Sequence, residues 1–465
     1  MRGRLAMGTD IRAIFDEHEA DRFALHTKYL NEQIVRVIKA LGYDTRFVRA
    51  KGQYLWDCDG SRYLDLLCGF GVFAVGRNHP NVERALREAL TCELPNLVQL
   101  DVSPLAGALA KRLLRRVPYL DKAFFANSGA ESVEAAIKFA RAATGRRGIA
   151  YCSNSFHGLT YGALSLNSQA SYRDGLDGFL ADCVEVPFND LDALEAMLRT
   201  EKMAGVFVEP IQGRGVYIAD PGYLPGVQEL CRRHGTLFVA DEVQTGLGRT
   251  GRFLGVEHWG VEPDIVLLAK GLSGGQVPVS ALLTRKWIFE KLFSKMSRVA
   301  VHGSTFAKNN MAMAAGLATL DTLEEEELIE NAADKGNRLI QAFRAMQGRH
   351  ELIKDVRGKG LVIGIELGAP RSTGLRMRWN ALEAIKTGLF CQTVVMPLFK
   401  EHRILVQVSG DSPTIKLQPP LLITDEDCTW IVDAFESAIA AAHKAGTVLK
   451  LGSTLARRAL RAKAE

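Results

Sequence analysis

Along the first forty residues apolar positions recur every three or four places: Ile11, Ile14 and Phe15, then Ile34, Val35, Val37 and Ile38. That spacing predicts helices between Ile11 and Leu41. The period then changes. Gln53 to Asp57 and Arg62 to Leu66 flank Asp59-Gly60, a dipeptide that accepts the positive φ angles of a tight turn, so a hairpin is expected. Short and almost wholly apolar runs follow: KAFFAN (122–127), GIAYCSN (148–154), GVFVEP (205–210), TLFVADEV (236–243) and DIVLLAK (264–270). They alternate with helical patterns such as Glu131 to Arg141, which is the rhythm of a buried, mainly parallel sheet and marks an α/β protein. Beyond about Asp321 the pattern predicts a helix over 322–347, a strand LVIGIEL over 361–367, another helix, a strand from Ile404 to Val408 and a last helix. The chain therefore divides into N-terminal helices and hairpin (1–75) packing with a small domain, a large domain (76–325), and that smaller α+β domain (326–465) ending in a basic tail.

With 465 residues, 47% of them apolar and 24% charged, the chain has the make-up of a globular enzyme and not of a disordered or fibrous protein. The net charge of +5 is too small over this length to imply nucleic acid as a partner. Cysteines at 58, 68, 92, 152, 183, 231, 391 and 428 are scattered without zinc-like spacing, so no metal site is expected and free thiols in a reducing cytoplasm are. The early arginines precede no apolar leader core, and the uncharged stretch near Gly148 to Tyr172 is too rich in Ser, Asn and Gly to span a bilayer.

Open parallel sheets deliver functional groups at the carboxyl ends of their strands. Here Glu209, the pair Asp241 and Glu242, and Lys270 end otherwise apolar runs, so these groups are expected to converge. A lysine with a buried stem and an amine in a cleft has a lowered pKa and is nucleophilic; a solvated strand-end lysine fits the same position. Asp241 needs a buried partner, which the ring nitrogen of pyridoxal phosphate, a helix cap or a structural cation would each supply. Ser128-Gly129-Ala130 sits between a strand and a helix, where backbone amides can cradle phosphate or simply turn the chain. Gly358-Lys359-Gly360 precedes a strand and opens no helix, so it lacks the context of a dinucleotide site.

Taken together, NSGAESVEAAIKFAR, FHG, VEPIQG, LFVADEVQTGLGRTGRF, PDIVLLAKGLSGGQVPVSA, HGSTFAKN and QPPL resemble the class III aminotransferases, the family of ornithine, acetylornithine and 4-aminobutyrate aminotransferases, from about Gly52 to Leu422. The resemblance implies the pyridoxal 5'-phosphate-dependent transferase fold of type I, with a mainly parallel seven-stranded sheet in the large domain. It implies that Lys270 forms the Schiff base with the cofactor and then shuttles a proton, while Asp241 pairs with the pyridine nitrogen. Ser128, Gly129 and Ala130 match the phosphate loop, Phe156 and Val243 the residues that sandwich the ring, and Gln244 the position that reaches its hydroxyl. Glu209 matches the glutamate that pairs with a carboxylate-binding arginine. Thr305 matches a threonine that binds phosphate across a homodimer interface.

Departures from the family pattern concern the substrate. Leu159 stands where glutamate users commonly carry arginine, Lys416 stands at the arginine of R-x-x-P-P, and Arg214 replaces a common acidic residue. A lysine holds a carboxylate as a point charge without the planar fork. An amine or basic amino acid reacting at its terminal amino group, ornithine or a diamine, is therefore favoured as donor to an aldehyde or keto acceptor. A decarboxylase, racemase or aminomutase of the same fold is the competing enzyme class. Residues 444–465, KAGTVLKLGSTLARRALRAKAE, combine six basic residues with apolar ones, which suits either a solvated helix or weak contact with an anionic membrane surface. With the apolar Leu159, that tail brings in a large lipid-like acceptor, as in aminotransferases that finish amino-hopanoids or other natural products.

Overall fold

In the computed structural model, which describes residues 9–409 and 412–444, the five apolar runs assemble into one sheet and two further strands join them. The order is Lys122–Ala126, Ser280–Thr284, Ile265–Leu268, Leu237–Asp241, Met203–Val208, Gly148–Cys152 and Cys183–Val186. Ser280–Thr284 runs antiparallel to both neighbours, and the other pairings are parallel. The three strands from Met203 to Leu268 are buried at every position. Alternate side chains feed two cores on opposite faces: Val206, Phe238 and Val266 one, Phe207, Val239 and Leu267 the other. Helix Gly129–Thr144 packs Val133, Ala136, Ile137 and Ala140 into the second. The two added strands escape a reading by apolar runs because Cys183–Val186 is interrupted by Glu185 at the sheet edge, and Ser280–Thr284 is bounded by polar residues.

Three helices, Ile11–His18, Arg22–Tyr29 and Glu32–Leu41, precede the hairpin, with Asp10 and Asn31 side chains capping the first and third. The hairpin pairs Tyr54–Asp57 with Arg62–Asp65, and Gly60 takes φ 78° in its turn. The strand expected over Ile404 to Val408 is split in two. Ile404–Leu405 runs parallel to Arg62–Asp65, whereas Gln407–Val408 pairs with Thr414–Leu417 in an antiparallel sheet completed by Val362–Leu367 and Ile353–Lys359. Between them the buried Val406 gives its carbonyl to the Tyr43 hydroxyl, at 2.9 Å, and not to a ladder. The helix expected over 322–347 is also two, Asn310–Glu325 and Leu328–Gln347, with Glu327 at φ 48° between them. Four consecutive glutamates at 324–327 oppose the negative end of the first helix, and the helix stops there. Gly358 and Lys359 end the strand Ile353–Lys359, paired with Ile363 and Val362, and Gly360, at φ 52°, opens the tight turn into Val362–Leu367. Among the described residues no helix is long and apolar enough to cross a membrane. The basic tail beyond Lys444 lies outside the described residues.

Glu242 does not converge with its neighbours at the strand ends. Its carboxylate turns away and accepts from the amides of Gly255 (2.9 Å) and Val256 (2.7 Å) and from the Thr245 hydroxyl, pinning the segment after Leu237–Asp241. Burial pushes its pKa up from 4.5 to about 7, with those three hydrogen bonds opposing. A folded-state pKa above the unfolded value means that Glu242 favours the fold most below about pH 4.5 and loses that contribution as pH rises through about 7. Urea unfolding of the wild type and of Glu242→Gln at pH 5 and pH 8 is expected to show the wild type losing on the order of 3 kcal/mol relative to the variant. Parallel pH profiles would contradict this.

Candidate active site

A cavity of about 410 Å³ opens where the strands Leu237–Asp241 and Ile265–Leu268 end and helix Gly129–Thr144 begins. Lys270 leaves its strand through Ala269 (φ −158°, ψ −138°) and itself adopts φ 39°, a left-handed conformation that is uncommon outside glycine. Its side chain lines the cavity. Burial lowers the pKa of its amine, and the charges of Asp241 and Glu209 oppose that shift. Asp241, 4% exposed, is the last residue of its strand. Its Oδ1 accepts from the Val243 amide at 3.1 Å, and its Oδ2 accepts from His157 Nδ1 at 2.7 Å.

The histidine of FHG was quoted in the sequence as part of a motif without a role of its own. Its ring is fully buried between Asp241 and Phe207, and its Nε2 has no hydrogen-bond partner. Burial works against an imidazolium here, but the hydrogen bond and charge of Asp241, together with Glu209, outweigh it and raise the pKa. Because a carboxylate only accepts, the bonded His157 Nδ1 carries the proton. A strand-end aspartate that needed a buried partner was the available signal for it.

Glu209 follows Met203–Val208 and lines the same cavity. Its two oxygens accept from the Phe156 amide (3.0 Å) and the Gly213 amide (2.8 Å). Burial pushes its carboxyl up, Asp241 adds to this, and His157 and the two amides oppose it. At the start of helix Gly129–Thr144 the Ser128 hydroxyl caps the Glu131 amide at 3.2 Å, while the amides of Gly129 and Ala130 have no acceptor within the helix. Both residues face the cavity. A Cβ on Gly129 would lie 3.0 Å from Val243 Cγ1, so glycine lets the helix start and Val243 approach each other. Asn127, which ends KAFFAN and opens the motif NSGAES without a role evident from its spacing, also lines the cavity and donates from Nδ2 to Ser304 Oγ at 2.6 Å.

Phe156, Val243 and Gln244 are lining residues as well. The other expected residues stand back from it. Lys416 is 5% exposed and spends its ammonium on Gly213 O (2.5 Å) and Gln244 Oε1 (2.8 Å). Burial, reinforced by the charge of Lys270, lowers its pKa to about 7. Arg214 donates to the Tyr172 hydroxyl at 2.9 Å, and Tyr172 meets Phe156 edge-on at 5.7 Å, which leaves Arg214 one ring behind the cavity wall. Leu159 is 57% exposed outside the cavity. Thr305 is exposed beside Ser304 and lines a separate depression with Phe124, Met296 and Val299.

Free helix-start amides for an anion, a buried carboxylate with lone pairs to spare, an amine and the apolar walls of Phe156 and Val243 surround a single cavity. That donor set fits a phosphorylated pyridine aldehyde.

Comparison with known proteins leads to the same cofactor. The chain matches the Aminotransferase class-III family over residues 40–439. It is 35% identical over 454 residues to the aminotransferase PigE of Serratia sp. (strain ATCC 39006), covering 90% of this chain and 53% of that protein, so it spans about half the length of this relative. Among solved structures, the ornithine aminotransferase of Toxoplasma gondii superposes with a TM-score of 0.81 at 31% identity, covering 94% of this chain and 99% of the other. An amine transaminase from an uncultivated Pseudomonas species, solved in its PLP-bound form, gives 0.72 at 30% identity over 85% of this chain and 94% of the other. The chain belongs to the class III aminotransferases, with the fold of these enzymes and pyridoxal 5'-phosphate as its cofactor.

Proposed function

We propose that this chain transfers the terminal amino group of an amine or basic amino acid, ornithine-like or diamine-like, to an aldehyde or keto acceptor. The observation that carries the reading is the cavity wall. Among its described lining residues Lys270 is the sole lysine or arginine, and the one histidine, His157, is bound to Asp241, so no arginine is present there to grip a distal carboxylate. Lys416 already serves two oxygens, Arg214 is engaged by Tyr172, and Leu159 is apolar. Relatives named as an ornithine aminotransferase and an amine transaminase are consistent with such donors.

Bound pyridoxal phosphate supplies an electron-withdrawing ring and the carbonyl carbon that carries the amino group. The residues would divide the remaining work. The amides of Gly129 and Ala130 hold the phosphate, with Ser128 shaping that turn. Phe156 and Val243 keep water from the ring faces. Asp241 holds a proton on the ring nitrogen and is itself oriented by His157. A lysine whose amine is brought down by burial reaches its neutral form nearer neutral pH, so Lys270 Nζ would be able to take a proton from the substrate carbon and deliver it to the cofactor's carbonyl carbon. Gln244, steadied by Lys416, faces the cavity from the side of Glu209. We further assign Thr305 to the neighbouring subunit's phosphate site in a homodimer. Exposed Met296 (93%), Val299 (77%) and Phe306 (63%) beside it support an interface there.

Borohydride reduction of the holoenzyme followed by peptide mapping is expected to mark Lys270; a label on another lysine would overturn its role. Asp241→Asn is expected to retain cofactor while kcat falls by roughly 10²-fold or more, because phosphate contacts hold the cofactor and the carboxylate sets the charge of the ring. Half-reaction rates near those of the wild type would remove Asp241 from the chemistry. A missing charge-assisted, bidentate contact weakens carboxylate binding by about 1.5–3 kcal/mol, roughly 10- to 150-fold. With a common acceptor, kcat/KM for ornithine or a diamine is thus expected to exceed that for glutamate at least tenfold. Glutamate as the better donor by tenfold would refute the substrate reading and leave the family intact.

A further inference from the structure

The loop that follows Glu209 is held in a conformation its sequence does not favour. Gly215 and Val216 have φ 73° and 55°. Glycine adopts such angles freely, but a β-branched residue rarely does. Val216 is nevertheless fully buried beside Ile211 and Val362, and the loop is closed by the Gln212 amide on Tyr217 O at 2.8 Å.

Arg357, in strand Ile353–Lys359, grips these two residues from the C-terminal sheet. Its Nε donates to Gly215 O (3.1 Å) and Val216 O (3.0 Å), and its Nη2 to Gly215 O (2.6 Å) and Thr414 Oγ1 (3.2 Å). Asp355 and Glu366 each accept from Nη1 at 2.7 Å, fixing the guanidinium on its own sheet. Its carbon centre lies 4.8 Å from the centroid of the Tyr217 ring. The Gly215 amide is held in turn by Ser409 Oγ at 2.9 Å. Two residues before this grip, Gly213 donates its amide to Glu209 and gives its carbonyl to Lys416.

We propose that Arg357 is a positioning residue: by clamping the left-handed Gly215–Val216 turn it holds Gly213 where it can orient both Glu209 and Lys416, and so sets the substrate-facing side of the active site from the neighbouring sheet. The effect on substrate rests on the reading of that side under Proposed function; the clamp itself does not. Lys270 follows one central strand and Asp241 ends another, and Arg357 bonds directly to neither.

Hydrogen exchange of the cofactor-free protein tests the clamp without reference to activity. Arg357→Met is expected to speed exchange of the Gly213 and Gly215 amides at least tenfold and to leave the amides of Leu237–Asp241 unchanged. Unchanged protection at Gly213 and Gly215, or a uniform rise across the protein, would overturn the proposal. In the holoenzyme the variant is expected to raise KM for an amine donor about tenfold or more with kcat within threefold, and Arg357→Lys, which keeps the charge without the fork, to fall between. Adding Val216→Gly to Arg357→Met is expected to recover at least threefold of KM, since glycine needs no clamp to hold the turn. A double variant no better than Arg357→Met, or a fall in kcat with KM unchanged, would overturn the positioning role. Loosened exchange with no change in KM would retain the clamp and overturn its link to the substrate.

Discussion

Two carboxylates, one amine and one imidazole line a single cavity, and the site depends on their charges compensating one another. Asp241 and Glu209 are 4% and 6% exposed, and carboxylates buried so deeply need hydrogen-bond donors on both oxygens. The protein supplies them from different parts of the chain: His157 and the Val243 amide for Asp241, the Phe156 and Gly213 amides for Glu209. The same two negative charges counter the burial that lowers the pKa of Lys270. The charges of Asp241 and Glu209 thus bear on both His157 and Lys270, and a substitution at either carboxylate alters the electrostatics of its neighbours.

A parallel sheet is an economical way to build such a cluster. Its central strands bury both faces, leaving the carboxyl ends as the place where polar groups meet solvent or ligand. The helix that begins beside Val243 adds its free amides at the same end. A carboxylate and a helix start, of opposite sign, both border the cavity, and they would favour one orientation of a ring with an anionic substituent.

Lys270, Asp241 and Glu209 stand out in the sequence as polar residues closing apolar runs, a pattern that a solvated lysine, a helix cap or a structural cation also fits, and it takes the surrounding motifs to favour a shared site. Glu242 has the same appearance and a different destiny, since adjacent residues at a strand end point in opposite directions and composition does not say which faces the cavity. His157 and Asn127 lie in turns, where no period exists to assign a direction. The break at Glu327 has a signal in the glutamate run 324–327, whereas the division of Ile404 to Val408 does not: apolar spacing continues across it, and only the partners, Tyr43 and Arg62–Asp65, separate the pieces. Leu159, Lys416 and Thr305 were singled out by resemblance, and their neighbours in space, not their types, decide how they take part.

The pairing of Ile404 with Leu64 has a consequence for the birth of the chain. On the ribosome the hairpin emerges long before the strand that completes its sheet, and long before Asp427, whose buried carboxylate receives the side chains of Gln53 and Tyr54. Closing contacts between residues more than three hundred positions apart is entropically slow. The hairpin is therefore among the last elements of this chain to reach its final surroundings, and its apolar face waits uncovered until the distant strand and Asp427 have been synthesised.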